Sequence, residues 1–200
     1  MITYMSDILC ITNRLLCKED FFTRIEKIAS ANPTGIILRE KDLNEDEYKE
    51  LAIRVLEICE NYKTPCILHS FVCVAAELNC NALHLPLHIL RSLSIEDKAR
   101  FSTLGASCHS AEDAIEAEKL GCTYITAGHV FDTDCKKGLP GRGLEFLQNV
   151  CESVSIPVYA IGGINTDNIA KVRDTGATGA CVMSGTMICE DVQKYLGELK

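Results

Sequence analysis

Apolar residues in this chain fall into short unbroken runs, separated by longer stretches with helical spacing. The runs are residues 8–12, 35–38, 65–68, 82–85, 104–107, 124–127, 156–161 and 179–183. They are continuous rather than alternating, which marks strands buried on both faces, as in a parallel sheet covered by helices. Between them, Phe21, Ile25, Ile28 and Ala29 share one helical face over 21–31, stopped by Asn32-Pro33. Residues 44–62 carry a stripe of Tyr48, Leu51, Ala52, Val55, Leu56 and Cys59, opened by Asn44 and Glu47 as a capping box. Further helices are predicted over 72–79, 110–120 (capped by Ser110 through Asp113), 144–154, 166–174 and 190–199.

Eight strand-and-helix units predict an α/β protein: a closed (β/α)8 TIM barrel, a single domain over residues 1–200, at the short end for that fold. An open doubly wound sheet is the alternative. Against it, no GxGxxG follows the first strand, and polar clusters recur at strand ends along the whole chain.

Composition narrows the function classes. With 200 residues and 47% hydrophobic content, one full core is expected. A formal net charge of −8 argues against non-specific nucleic-acid binding but leaves room for a small anion held by local cations. No apolar run reaches membrane-spanning length, and the start MITYMSDILCITN lacks the pattern of a signal peptide. A cytoplasmic location is therefore expected, with the 12 Cys as reduced thiols. No CxxC occurs. Cys66, Cys73 and Cys80 are spaced by seven, and Cys73 and Cys80 are expected to share a helix. They read as buried small side chains rather than as a metal site.

The densest chemistry lies in YITAGHVFDTDCKKGLPGRG, residues 124–143, where an apolar strand runs into Gly, charge and one His. Loops on rigid strand ends are where chemistry is usually placed. His129 is the candidate general acid/base, since it alone there can carry a proton both ways near neutral pH. Lys136, Lys137 and Arg142 are candidate anion contacts, and Thr133 could orient the loop or bind ligand oxygens. Cys135 beside lysines could be a nucleophile, but no partner base is evident. The other strand ends supply Arg39-Glu40-Lys41, His69-Ser70, His84, Ser107, His109, Gly162-Gly163 and Ser184-Gly185. His84, inside an apolar strand, reads as core. Ser107 and His109 are second-rank neighbours of the site, read as pointing in opposite directions. Gly162, Gly163, Ser184 and Gly185 end the last two strands with little or no side chain. They are the candidate phosphate cradle, with a helix N-terminus expected beyond each pair.

The stretch Gly128-His129-Val130-Phe131-Asp132-Thr133-Asp134-Cys135-Lys136-Lys137-Gly138, continuing to Arg142-Gly143-Leu144, resembles the TenI-type thiazole tautomerases, barrel relatives of thiamine phosphate synthase. Leu38-Arg39-Glu40-Lys41, Ala82-Leu83-His84-Leu85, Gly105 to Ser110, Ile156 to Ile164 and Val182-Met183-Ser184-Gly185 are similar to family segments in family order. The synthase typically has Pro at the position of His129. It also has Gln at the position of Ile37, an Asn-Asp pair at His69-Ser70, and a further metal-site Asp after the fourth strand, matched here within Pro86-Leu87-His88-Ile89. The carboxylates that would serve Mg²⁺ are thus replaced.

The resemblance implies a cofactor-free isomerase of thiamine biosynthesis. It would aromatise a carboxythiazole phosphate tautomer by a proton shift, with His129 as acid/base and no metal. Gly162, Gly163, Ser184 and Gly185 would hold the phosphate, Lys136 and Arg142 substrate anionic groups, and Arg39 and Lys41 the carboxylate. Its partner would be a small phosphorylated thiazole, with neither nucleic acid nor membrane, and a homodimer is implied. The alternatives are a thiamine phosphate synthase, a transferase that would need Mg²⁺, and a non-catalytic binder of thiazole or thiamine phosphate that regulates a partner.

Overall fold

The structure is a computed structural model that describes residues 7–136 and 138–199, without the side chain of Cys135. Eight strands close into a parallel barrel in chain order: β1 (Ile8–Ile11), β2 (Gly35–Leu38), β3 (Cys66–His69), β4 (Ala82–Pro86), β5 (Thr103–Cys108), β6 (Tyr124–Gly128), β7 (Val158–Ile161) and β8 (Gly179–Val182). Helices alternate with them: α1 (Phe21–Ser30), α2 (Glu45–Tyr62), α3 (Val72–Glu77), α4 (Leu87–Ser92), α5 (Ile95–Lys98), α6 (Ala111–Lys119), α7 (Gly143–Ser153), α8 (Ile169–Arg173), α9 (Ser184–Ile188) and α10 (Val192–Glu198). This is the (β/α)8 barrel that the continuous apolar runs predict.

The chain forms two compact units, one running to Cys80 and resuming at Val182, the other Asn81–Cys181. In the first, β1, β2 and β3 pair in parallel, with Cys10 opposite Ile36 and Leu38 opposite Leu68. Ile8, Ile36, Ile37, Leu38 and Leu68 are fully buried there. The Asn44–Glu47 capping box of α2 is present in both halves, and Lys63 ends that helix in a left-handed conformation. In the second unit β4 to β8 pair in parallel without interruption. Ser110 caps α6 by accepting from the Asp113 N–H, as the Ser110–Asp113 spacing predicts.

Several expectations are corrected. Residues 86–100 hold two short helices, α4 and α5, where none is predicted; α4 has no side-chain cap and opens directly from the apolar run of β4. Helix α3 ends at Glu77, so Cys80 lies beyond it and does not share a helix with Cys73. Cys73 is exposed and Cys66 and Cys80 are half-buried, so they are not the fully buried set expected. The eleven cysteines with described side chains are free thiols. After β7 no helix begins at once. Asn165 and Asn168 bond each other's loop, and α8 starts only at Ile169, so the dipole expected beyond Gly163 is missing. Ser184 and Gly185 are the first residues of α9 rather than a loop before it. The N-terminal stretch through Ser6 and Lys137 lie outside the described residues. Among the described residues, no helix is long and apolar enough to cross a membrane.

Candidate active site

Strand β6 delivers Gly128 and His129 to its carboxyl end, joined by a cis peptide. The loop beyond folds back on the strand ends through its own backbone. Val130 N–H donates to the Ile161 carbonyl at 2.9 Å and Phe131 N–H to that of Gly162 at 3.0 Å. Arg142 N–H donates to the His129 carbonyl at 3.0 Å, Gly143 N–H to that of Val130 at 2.9 Å, and Gly141 N–H to Asp132 Oδ1 at 2.7 Å. His129 is held inside this turn at 8% exposure. Its Nε2 lies 3.3 Å from the Leu139 carbonyl. A carbonyl only accepts, so Nε2 carries a hydrogen, and it is Nδ1 that can hold the lone pair. Among the described residues Nδ1 has no hydrogen-bond partner.

Gly162 and Gly163 have a conformational reason to be glycine. Both have positive φ, 104° and 66°. A Cβ on Gly162 would run into the Cβ of His129, and one on Gly163 into the Asp132 carbonyl. The pair therefore makes room for the His129 loop to lie against the end of β7.

His109, just past β5, is exposed but anchored twice. Its N–H donates to Asp113 Oδ2 at 2.8 Å, and its Nδ1 donates to the Gly128 carbonyl at 2.7 Å. Ser107 takes a different partner, His84 Nε2 at 2.9 Å. His84 is buried, as a core histidine would be, but both its nitrogens are engaged: Nδ1 lies 2.9 Å from the Tyr124 hydroxyl. Burial pushes its pKa down to about 3, so the imidazole is neutral. The strand register explains the cluster. His84 and Tyr124 are both opposite Gly105, and Ser107 is two residues along the same strand. A Cβ on Gly105 would strike the Tyr124 ring and come within 2.6 Å of His84 Nδ1. Sequence reasoning assigns neither His84 nor Tyr124 to a site; a glycine inside an apolar strand is the signal that two large groups meet over it.

Thr133 is half-buried, and Lys136 is exposed in a 3₁₀ turn, Asp134–Lys136. Arg142 is exposed, its guanidinium carbon 5.4 Å from the Phe146 ring centroid. An open cleft runs along this loop, lined by Asp132, Thr133, Lys136 and Pro140 among others.

In the other unit, β2 ends in Arg39, Glu40 and Lys41. Buried Glu40 accepts from the Thr12 hydroxyl at 2.7 Å and from Arg14 N–H at 3.0 Å, and Arg14 in turn pairs with Asp42 at 2.6 Å. The Arg14 guanidinium holds the Asp42 carboxyl below its ordinary pKa. Arg39 N–H donates to Thr12 Oγ1 at 2.9 Å. Its half-buried side chain forms no hydrogen bond or ion pair among the described residues; Lys41 is exposed. At the end of β3, His69 Nδ1 lies 2.8 Å from Ser70 Oγ, and the His69 N–H donates to the hydroxyl of buried Tyr48. Ser184 is exposed, and Gly185 is glycine because a Cβ would collide with the Tyr195 hydroxyl.

The structure thus gathers His129, Gly162, Gly163 and the backbone of Arg142 around one loop, with His109 tied to it through Gly128. A second group is Ser107 with His84, and the third stands at the end of β2. Mg²⁺ does not fit the residues present. Position 70 is a serine bonded to His69 Nδ1, position 89 is a half-buried isoleucine, and no carboxylate stands at either place. Among the described residues no group of three or more His, Cys, Asp or Glu side chains is placed to hold a metal ion.

Comparison with known proteins agrees with this architecture. A family model described as thiamine monophosphate synthase, of the TMP-TENI family, matches residues 8–186. A thiamine-phosphate synthase of Clostridium acetobutylicum is 35% identical over 189 residues, covering 92% of this chain and 88% of that protein. Thiamine-phosphate synthase 2 of Streptococcus pneumoniae is 32% identical over 180 residues, covering 88% and 84%. The solved structure of a thiamine phosphate pyrophosphorylase from Pyrococcus furiosus superposes with a TM-score of 0.83 at 32% identity, covering 98% of this chain and 94% of that one. The chain belongs to the thiamine monophosphate synthase/TenI family.

Proposed function

We propose that this chain catalyses a metal-free proton shift on a phosphorylated thiazole carboxylate, converting a non-aromatic tautomer into the aromatic ring. The observation that carries this reading is His129. It is a titratable group enclosed by a loop at a strand end, with Nε2–H committed to the Leu139 carbonyl and Nδ1 left as the basic nitrogen. In the reaction Nδ1 takes a proton from one ring atom. The imidazolium keeps its Nε2–H bond to Leu139 and returns a proton at the other end of the conjugated system. One proton leaves and one arrives, so no redox partner is needed. Gly162, Gly163, Ser184 and Gly185 are assigned to the phosphate, and Lys136, Arg142 and Thr133 to anionic or polar substrate atoms. Arg39 and Lys41 are assigned to the carboxylate. The reading includes a homodimer in the cytoplasm.

The names of the relatives favour a second reading, synthesis of thiamine phosphate from an aminopyrimidine pyrophosphate and a thiazole phosphate. That transfer expels pyrophosphate, whose charge needs a screening cation. The residues at 69, 70 and 89 offer no carboxylate for one.

A paired assay separates the two. One arm follows aromatisation of the thiazole carboxylate phosphate tautomer in the presence of a chelator. The other supplies both synthase substrates with Mg²⁺ and looks for thiamine phosphate. Aromatisation without coupling is the expected result. Coupling at the rate of a synthase, with no aromatisation, overturns the reading.

A further inference from the structure

Three strands of one unit place a Tyr, a His and a Ser in a single hydrogen-bonded chain. Tyr124 of β6 and His84 of β4 both sit opposite Gly105 of β5, and Ser107 lies two residues further toward the end of β5. The distances are 2.9 Å from Tyr124 hydroxyl to His84 Nδ1 and 2.9 Å from His84 Nε2 to Ser107 Oγ. Thr126 Oγ1 stands off at 3.5 Å from Nε2.

The direction of these bonds follows from counting hydrogens. A neutral imidazole has one donor and one acceptor. Burial lowers the His84 pKa to about 3 and raises that of Tyr124, so both are neutral at ordinary pH. Tyr124 is buried, and among the described residues its hydroxyl has no hydrogen-bond partner but His84. An unmade bond from a buried hydroxyl is costly. The phenol therefore donates, Nδ1 accepts, and Nε2 must carry the hydrogen. Nε2–H then donates to Ser107 Oγ. The half-buried Ser107 hydroxyl accepts from behind, and its own hydrogen has no acceptor among the described residues.

We propose that Tyr124, acting through His84, makes Ser107 a dedicated hydrogen-bond donor at the carboxyl end of β5, aimed at an anionic oxygen of the ligand. Tyr124 and His84 are positioning residues, and Ser107 makes the contact. The ligand part of this proposal rests on the thiazole phosphate carboxylate reading above. The tautomer part does not. A serine whose hydrogen could turn inward to a bare Nε2 would have to break that bond to greet a ligand. One that already accepts from Nε2–H has no such conflict.

The test has two arms. The first is ¹⁵N NMR of the imidazole nitrogens in the ligand-free protein, with His84 assigned through His84→Gln. Nδ1 in the unprotonated range and Nε2 in the protonated range is the expected pattern; the reverse pattern overturns the proposal. Tyr124→Phe, which keeps the ring, removes what pins the tautomer, so a mixture of the two forms is expected in it. The second arm is a double-mutant cycle on the affinity for the thiazole carboxylate phosphate. Ser107→Ala is expected to weaken binding about 3- to 10-fold and Tyr124→Phe about 2- to 5-fold. Tyr124→Phe in the Ser107→Ala background is expected to add nothing further. Full additivity, or no loss with Ser107→Ala, overturns the proposal. If the unaltered protein binds no thiazole phosphate at all, the proposed function fails, and the NMR arm alone decides the tautomer.

Discussion

The Nδ1 of His109 donates to the carbonyl of Gly128 at 2.7 Å, so a side chain from the end of β5 holds the backbone next to His129. His109 is itself fixed by Asp113, whose carboxylate accepts the His109 N–H while its own N–H is bonded to Ser110. On this geometry His109 acts on the position of His129 rather than on substrate. His109→Ala should lower kcat about 5- to 30-fold with little change in KM, since one hydrogen bond and the alignment it keeps are lost. His109→Asn, whose amide nitrogen falls near the place of Nδ1, should recover most of the rate. A rise in KM with kcat unchanged would instead make His109 a ligand contact.

His129→Ala should reduce aromatisation by a factor on the order of 10²–10⁴. Affinity for the thiazole phosphate should survive, because phosphate contacts are assigned to Gly162, Gly163, Ser184 and Gly185. Single-turnover kinetics together with calorimetric titration of the ligand check both halves. Unchanged turnover would remove His129 from the mechanism.

The strands were legible because burial on both faces leaves continuous apolar runs, and helix starts were legible where a side chain caps them. Ser110 and Asn44 announce α6 and α2, whereas α4 has no cap and continues straight from Leu85-Pro86, so nothing in the pattern marks its start. His129 stood out because a titratable residue among glycines and charges has no packing reason to be there. Its hydrogen-bond partner did not, because Leu139 contributes a backbone carbonyl, which every residue has. The chain Tyr124–His84–Ser107 was hidden for another reason. Those residues meet through the register of three strands, which no spacing within a single segment reveals. Reading His84 as core was right about its burial and silent about its bonds.

Stability should fall in acid partly through His84. Its pKa is about 3 in the folded protein against an ordinary 6.5, because burial penalises the charged ring. Between those values the unfolded chain takes up a proton that the folded one refuses. Stability is therefore lost as pH falls from about 6.5 toward about 3, with a limiting slope of about 1.4 kcal/mol per pH unit from this group. Urea midpoints between pH 7 and pH 4 should fall more steeply in the unaltered protein than in His84→Gln, which has nothing to titrate there. Parallel pH profiles would mean that His84 protonates in the folded state as easily as in the unfolded one.

Thr12→Val should be costly for its size. The Thr12 hydroxyl donates to buried Glu40 Oε1 at 2.7 Å and accepts from the Arg39 N–H at 2.9 Å, linking the ends of β1 and β2. Valine fills the same volume but can do neither, leaving a buried carboxylate short of one donor and a backbone N–H without its acceptor. Glu40 keeps its bonds from Arg14, at 3.0 Å from the backbone and 3.3 Å from Nη1, so the carboxylate is not stranded and the fold should survive. The expected loss is about 2–3 kcal/mol in urea unfolding. Arg39, whose own N–H loses its acceptor, should also weaken its grip on the carboxylate assigned to it above. A Thr12→Ser variant, which retains the hydroxyl, should stay within about 1 kcal/mol of the unaltered protein. Equal losses in Val and Ser would place the effect in packing around the methyl group rather than in the bond to Glu40.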